Sequence, residues 1–266
     1  MEIVALVKHS LDVAEIKVDP ETNNLQVGYA PRKFGQIDQN VIEAAVRLKE
    51  RYGGYIRALC VGQEPAKDDF RDLLAMGIDE ATLIIDPLSY SREPKIIVRL
   101  LEAGIKRMGK ADLILCGFAS DDEYSFQVGP RLSERLNLPL LSYARQVEVL
   151  DGDKVKAILD RGNWIQTVVS SMPTIITIAE EAFPPRRITL MDAIKAKKKP
   201  ISIWTIEEIG VSEEALAESA QSTLKVKGFV ANRKRHILKG QNYEAIANTL
   251  IDYLIQENVI QEDNNG

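Results

Sequence analysis

The residues with the most chemical potential are 117–132, GFASDDEYSFQVGPRL. They follow an apolar run and lead into a helical pattern. That placement puts them on the C-terminal rim of a parallel sheet, where open α/β folds bind ligands. Ser125 offers a hydroxyl, Gln127 both a donor and an acceptor, and Gly129 lets backbone come close to a ligand. The unpaired amides of a helix start would suit a phosphate or pyrophosphate. The same residues also read as an acidic loop capping a helix, because no Gly-rich fingerprint or P-loop pattern is present. Other segments end on that rim. Val7, Lys8 and His9 close the first strand; Lys8 neutralises a phosphate or is a solvated charge, and His9 moves a proton or is an idle surface histidine. Residues 35–39 precede a helix, with Asp38 as an N-cap or first-turn charge, or as a ribose or adenine contact. Val61 and Gly62 end the second strand, against an adenine ring or simply in the core.

A second distinctive stretch is 186–199, RRITLMDAIKAKKK. Thr189 would cap a helix that presents Leu190 and Met191 at an exposed tip, followed by Lys195, Lys197, Lys198 and Lys199. One reading is a surface helix whose lysines complement its dipole. The other is a docking loop, an apolar anchor ringed by charge for an acidic partner. There is no GxSxG and no HExxH, and Asp121 with Asp122 lacks a partner histidine or enough ligands for a metal. An electron carrier or binding subunit fits this better than a hydrolase.

The elements that must position these residues follow from the apolar pattern. The runs at 3–7, 56–61, 81–85 and 112–116 are short and apolar throughout, as expected of strands covered on both faces. Helical faces lie between them at 38–51, 64–76 and 94–109. The fold class is therefore α/β, a mostly parallel doubly wound sheet with helices on both faces. Residues 12–30 read as an N-terminal β-hairpin arm around a PETNN turn. In the second half, 144–150, 155–159, 164–170 and 174–178 read as additional, partly antiparallel strands of the same sheet. A polar connector at 211–224 and an amphipathic helix at 241–257 follow. We expect an α/β domain over 1–210 and a C-terminal extension over 211–266.

The 266-residue chain has 34 basic and 39 acidic residues, a net charge of −5, and 45% hydrophobic residues. That acidic balance argues against nucleic-acid binding. Cys60 and Cys116 each sit in an apolar run, which rules out a disulfide framework. Two histidines make a histidine-rich metal site improbable. Apolar runs fall far short of the roughly 20 residues that span a bilayer, and no signal-peptide pattern opens the chain, so a soluble cytoplasmic protein is expected.

Val7-Lys8, the run EAAVRLKE at 43–50, LAMG at 74–77, Asp121-Asp122 with QVGP at 127–130, and Leu190 with KAKKK at 195–199 stand in order and at matching spacing. Together they resemble the beta subunit of electron transfer flavoprotein, from residue 1 to about 210. The resemblance implies a heterodimer with an alpha subunit that carries FAD, passing electrons between flavin dehydrogenases or NADH and an acceptor such as a quinone-linked oxidoreductase. It implies an adenosine-containing ligand in this subunit: AMP in the simple carriers, a second FAD in the electron-bifurcating members. The matching positions are Leu6, Lys8, Gly35, Asp38, Val61, Ser120, Asp121, Asp122, Ser125, Gln127, Val128, Gly129 and Arg131, with Leu190, Met191 and Lys195 for partner docking. Two departures stand out. Gly35-Gln36 replaces the usual Asn-Pro, and Ser10-Leu11-Asp12 replaces the Val-Pro-Asp of bifurcating members. The arm at 15–25 is nevertheless similar to theirs, so FAD is favoured in this subunit and AMP is the alternative. A non-redox ATP- or AMP-binding regulatory module of related fold is the competing function.

Overall fold

The structure, a computed structural model, describes residues 1–217, 226–229 and 234–260. It opens with β1 (Glu2–Leu6) and four short strands, β2 (His9–Leu11), β3 (Lys17–Val18), β4 (Leu25–Gln26) and β5 (Arg32–Phe34). Helix α1 (Gln36–Tyr52) leads to β6 (Tyr55–Gly62), α2 (Ala66–Met76), β7 (Glu80–Ile85), α3 (Pro94–Met108) and β8 (Leu113–Gly117). Beyond α4 (Val128–Leu136) lie β9 (Leu140–Leu150), β10 (Lys154–Asp160), β11 (Ile165–Ser171) and β12 (Thr174–Ile178). Then come α5 (Leu190–Ala196), β13 (Ile201–Trp204), α6 (Glu213–Ala217) and α7 (Tyr243–Gln256).

The main sheet has nine strands in the order β11-β10-β9-β12-β8-β1-β6-β7-β13. Its core pairings are parallel, and the β9-β10 and β10-β11 ladders are antiparallel, as the second half of the sequence leads one to expect. The alternation within β1 shows why the sheet needs helices on both sides. Ile3 and Ala5 enter one apolar cluster, with the buried face of α1, while Val4 and Leu6 enter the other, with α3. Each such large side chain fully buried contributes about 1.5–3 kcal/mol. No helix among the described residues is long and apolar enough to cross a membrane.

Four features differ from the sequence reading. The first strand ends at Leu6 rather than at His9, because His9 turns away to pair with Phe34 in a separate two-stranded ladder. The arm is a hairpin, but only Lys17 and Val18 pair, with Gln26 and Leu25, and tight 3-10 turns occupy 13–15 and 27–29. Strand β13 went unrecognised; four residues after a lysine run give little period-two signal, yet they pair in parallel with β7. The connector contains α6, and the rest of its expected span, 218–224, lies outside the described residues. Residues 226–229 return to the arm, where Gly228 N–H donates to Asn23 O at 2.8 Å and Lys227 Nζ to Thr22 O at 2.8 Å.

Candidate functional site

Strand β1 is the topological switch point of the sheet. The chain runs from it through β6 and β7 on one side, then returns to place β8 on the other. The loops after β1 and β8 therefore diverge and leave a crevice at the carboxyl ends, the position where open α/β sheets hold ligands. Of the residues singled out in the sequence, Leu6, Lys8, Asp38, Val61, Ser120, Ser125, Gln127 and Val128 line it. Leu6, Val61 and Cys116 make an apolar floor. The cavity is only about 90 Å³, below the roughly 300 Å³ at which small-molecule sites begin. The loop after β8 forms its outer wall. Tyr124 and Phe126 in that loop hold positive φ angles of 49° and 60°. Bulky residues in that region are strained by about 1–3 kcal/mol each.

Lys8 ties the loop down. Its Nζ lies 2.7 Å from Asp122 Oδ1 and 3.4 Å from both Ser120 Oγ and Glu123 Oε1. Burial pushes the Asp122 carboxyl up, but the Lys8 ammonium, its hydrogen bond and those from Ser120 and the Glu123 amide outweigh this, leaving the group below the usual carboxylate range. Lys8 can meet a phosphate only by exchanging these partners.

The start of α1 forms the next wall. Asp38 accepts N–H bonds from Lys8 at 2.9 Å and from Gly35 at 3.2 Å, which fastens the helix start to the end of β1. It is a first-turn residue, and it is buried. Asp121 accepts from the Ile37 amide at 3.3 Å, and its carboxylate lies where a Gly35 side chain would begin, 2.2 Å from a Cβ built there. A side chain at position 35 would have to displace this carboxylate, whereas the backbone there makes no turn that needs glycine. Desolvation pushes Asp38 up to about 8, helped by the nearby Asp121 carboxylate and opposed by the two amides and Lys8. Asp121 is raised as well, by burial and by Asp122.

Asp38 couples this corner to pH. Its folded carboxyl takes a proton near pH 8, whereas an unfolded aspartate does so near 3.9. The native state binds more protons across that interval, so stability falls as pH rises from about 4 to 8. Urea midpoints at pH 5 and pH 8 should show that loss in the wild type. In Asp38→Asn the loss should shrink by at least about 1.4 kcal/mol, the value of one unit of pKa difference; equal slopes would contradict this account.

Gly129 has a different role from the one its spacing suggests. A Cβ there would stand 2.5 Å from Thr177 Cγ2 and 3.3 Å from Cys116 Sγ, so its bare backbone lets α4 approach the sheet. Arg131 points outward and donates to Gln127 Oε1 at 2.9 Å. The sequence reading missed the wall after β7, where Ser89, Tyr90, Arg92 and Ile97 line the crevice beside Phe118 and Phe126. The logic that placed 7–9 and 61–62 on this rim applies equally to the residues after Ile85. Asp86, fully buried, fixes that turn by accepting from Arg92 Nε at 2.8 Å. Ser89 Oγ is buried and has no partner among the described residues.

His9 is not a surface residue. It is 2% exposed, with Nε2 2.7 Å from Asp69 Oδ2 and Nδ1 2.9 Å from the Tyr90 hydroxyl. Both ring nitrogens are engaged, and the tie holds Tyr90 against the crevice. The two cysteines are buried and free, and burial pushes both thiols up to about 12. Among the described residues no His, Cys, Asp and Glu cluster could hold a metal ion.

The second site stands apart on α5. Thr189 Oγ1 accepts from the Asp192 amide, and Asp192 Oδ2 accepts from the Thr189 amide at 3.1 Å, a reciprocal cap. Leu190 is 78% exposed, and Met191 and Ile194 share its open face. The segment is rigidly mounted. Arg186 pairs with Glu43 at 2.8 Å and Glu50 at 2.6 Å, and Arg71 donates to the carbonyls of Ala196 and Lys199. The lysine ring is smaller than expected: Lys195, Lys197 and Lys198 are exposed, but Lys199 turns inward and donates to Leu74 O and Ile78 O.

Taken together these features define a class: a doubly wound α/β protein with a crevice at its switch point and a separately presented apolar helix. The sequence profile of the electron transfer flavoprotein domain matches residues 27–209. Similar proteins include the "Electron transfer flavoprotein subunit beta" of Bacillus subtilis, 32% identical over 97% of this chain and 98% of that one. The same-named protein of Thermoanaerobacterium thermosaccharolyticum is 31% identical over 98% of this chain and 100% of its own. The "Caffeyl-CoA reductase-Etf complex subunit CarD" of Acetobacterium woodii is 29% identical over the same shares. The chain belongs to the electron transfer flavoprotein family as a beta-type subunit. Such subunits carry electrons and are not enzymes by themselves.

Proposed function

We propose that this subunit holds the adenosine half of a nucleotide cofactor in the β1/β8 crevice, pairs with an alpha subunit that carries FAD, and docks redox partners through α5. The observation that carries this reading is the crevice itself, at the switch point of the sheet, with its apolar floor and with Lys8, Ser120, Ser125, Gln127 and Val128 on its walls. FAD is the favoured ligand, AMP the alternative. The hairpin arm supports FAD, and so does the similarity to a subunit of a caffeyl-CoA reductase-Etf complex. When bound, the flavin supplies the redox chemistry, and the protein supplies position and electrostatics. On this reading the complex takes electrons from NADH or flavin dehydrogenases, passes them to an acceptor such as a quinone-linked oxidoreductase, and bifurcates them. Helix α7 supports the pairing, because none of its residues is buried and Leu250 and Ile251 are open. We place this extension against the alpha subunit, and the complex in the cytoplasm.

Counting FAD and AMP released by denaturing the co-purified heterodimer tests the proposal. Two FAD per heterodimer are expected. One FAD with one AMP makes the protein a simple carrier, and absence of both from this subunit removes the nucleotide reading. The docking part has its own test. Leu190→Ala should slow electron transfer from a dehydrogenase by about tenfold or more, the scale of losing an apolar interface anchor. Nucleotide content and melting temperature should not change, because Leu190 supports nothing inside the fold. A wild-type rate would remove α5 from the docking surface.

A further inference from the structure

His9 stands in the middle of a row of three polar side chains that ends at the crevice. Its Nε2 lies 2.7 Å from Asp69 Oδ2 on α2, and its Nδ1 lies 2.9 Å from the Tyr90 hydroxyl in the turn after β7. His9 and Tyr90 both line the crevice, while the Asp69 side chain is 43% exposed at the other end of the row. Both rings are packed in place: Phe34 lies 5.4 Å from the imidazole, and the Arg32 guanidinium 3.5 Å from the centre of the Tyr90 ring. The chemistry of the three groups fixes the direction of their hydrogen bonds. A carboxylate only accepts, so Nε2 carries a proton toward Asp69. A neutral imidazole then has none left for Nδ1, which accepts from the Tyr90 hydroxyl. That hydroxyl has a single hydrogen, and His9 takes it. In the imidazolium both ring nitrogens donate. Nδ1 then donates to the Tyr90 oxygen, and the hydroxyl hydrogen is released without any heavy atom having to move.

We propose that His9 is a positioning residue that sets the hydrogen-bond direction of Tyr90, so that Tyr90 donates to a ligand in the crevice only when the imidazole is protonated. This rests on the nucleotide reading, in which ribose and phosphate oxygens supply the acceptors. Histidine is the side chain that ordinarily changes charge between pH 5 and 8. The other titratable and charged groups around the pair are Asp69 from α2, Arg32 from β5 and Cys60 from β6, with Lys8 and Asp38 at the junction of β1 and α1. Burial pushes the Cys60 thiol up to about 12 and raises the Tyr90 hydroxyl as well, so both stay protonated in that range. Asp38, pushed up to about 8 by burial, titrates mainly above pH 7.

Calorimetric titration of AMP, the part common to both candidate ligands, into the heterodimer freed of nucleotide in this subunit tests it at pH 5.5 and pH 7.0. The AMP phosphate and Asp38 titrate on their own account, so the quantity to compare is the ratio of the two affinities in wild type and in each variant. That ratio, pH 5.5 over pH 7.0, should be about fivefold larger in wild type than in His9→Gln, the scale of one hydrogen bond. Tyr90→Phe keeps the ring beneath Arg32 and should lose the same factor, through weaker binding at pH 5.5 alone. Equal ratios in wild type and both variants overturn the proposal and leave the nucleotide reading standing. A ratio reduced in His9→Gln but not in Tyr90→Phe also overturns it, because the proton would then act through a group other than Tyr90. Should His9→Gln fail to fold, Tyr90→Phe decides by itself. If AMP binds wild type at neither pH, the nucleotide reading falls and this inference falls with it.

Discussion

On the proposed nucleotide reading, Lys8→Met should strip the ligand from this subunit while leaving the sheet folded. Lys8 is the cation at the centre of the Asp122, Glu123 and Ser120 contacts, and its own amide donates to Asp38. Methionine keeps the length and the apolar stem but removes the charge. Asp122 is 12% exposed and would lose its counter-ion. Exposed pairs are worth at most about 1 kcal/mol, and breaking a buried one costs about 3–5 kcal/mol, so this half-buried pair sets an intermediate cost of about 2 kcal/mol. The cost falls on the loop after β8 rather than on the core. Released nucleotide measured after gel filtration should drop by about tenfold or more, the equivalent of 1.4 kcal/mol. Retention equal to wild type would show that the loop is held, and the ligand bound, without this ammonium.

The second large effect is Gly129→Ala. Thr177 cannot turn aside to admit the new methyl group, because its Oγ1 accepts the Tyr143 amide at 2.8 Å and thereby fixes the side chain. Overpacking of this kind costs about 1–3 kcal/mol. For a chain of this size, each kcal/mol lowers the melting temperature by about 2–4 °C. The double variant Gly129→Ala with Thr177→Ser should recover most of the loss, since serine keeps the hydroxyl and removes the obstructing methyl. If the double variant is no better than the single one, α4 is not seated on the sheet by this contact. If Gly129→Ala leaves stability alone and only weakens nucleotide retention, the glycine serves the ligand after all.

The sheet, its covering helices and the crevice rim were legible because their signals are local. Ile3, Val4, Ala5 and Leu6 are apolar whichever face they take, and Val41, Ala44, Ala45 and Leu48 recur with helical period. What escaped depended on the folded arrangement. His9 looks like a surface residue in sequence because neither Asp69 nor Tyr90 is near it along the chain. Gly129 suggested room for a ligand because sequence does not reveal that Thr177 occupies that space. Ser89 and Tyr90 carried no motif, although their position after a parallel strand was enough to place them on the rim. Lys199 belongs to a lysine run by composition, and only the carbonyls of Leu74 and Ile78 distinguish it from its neighbours.

The return of residues 226–229 to the hairpin turn has a wider bearing. Gly228 sits so close to Val18 that a side chain there would clash, at 2.5 Å from both Val18 methyls. Two pieces of chain some two hundred residues apart thus form one mechanical unit outside the main sheet. A displacement of residues 226–229 therefore acts on the hairpin turn directly, through two hydrogen bonds and the Val18 contact, without first disturbing the interior.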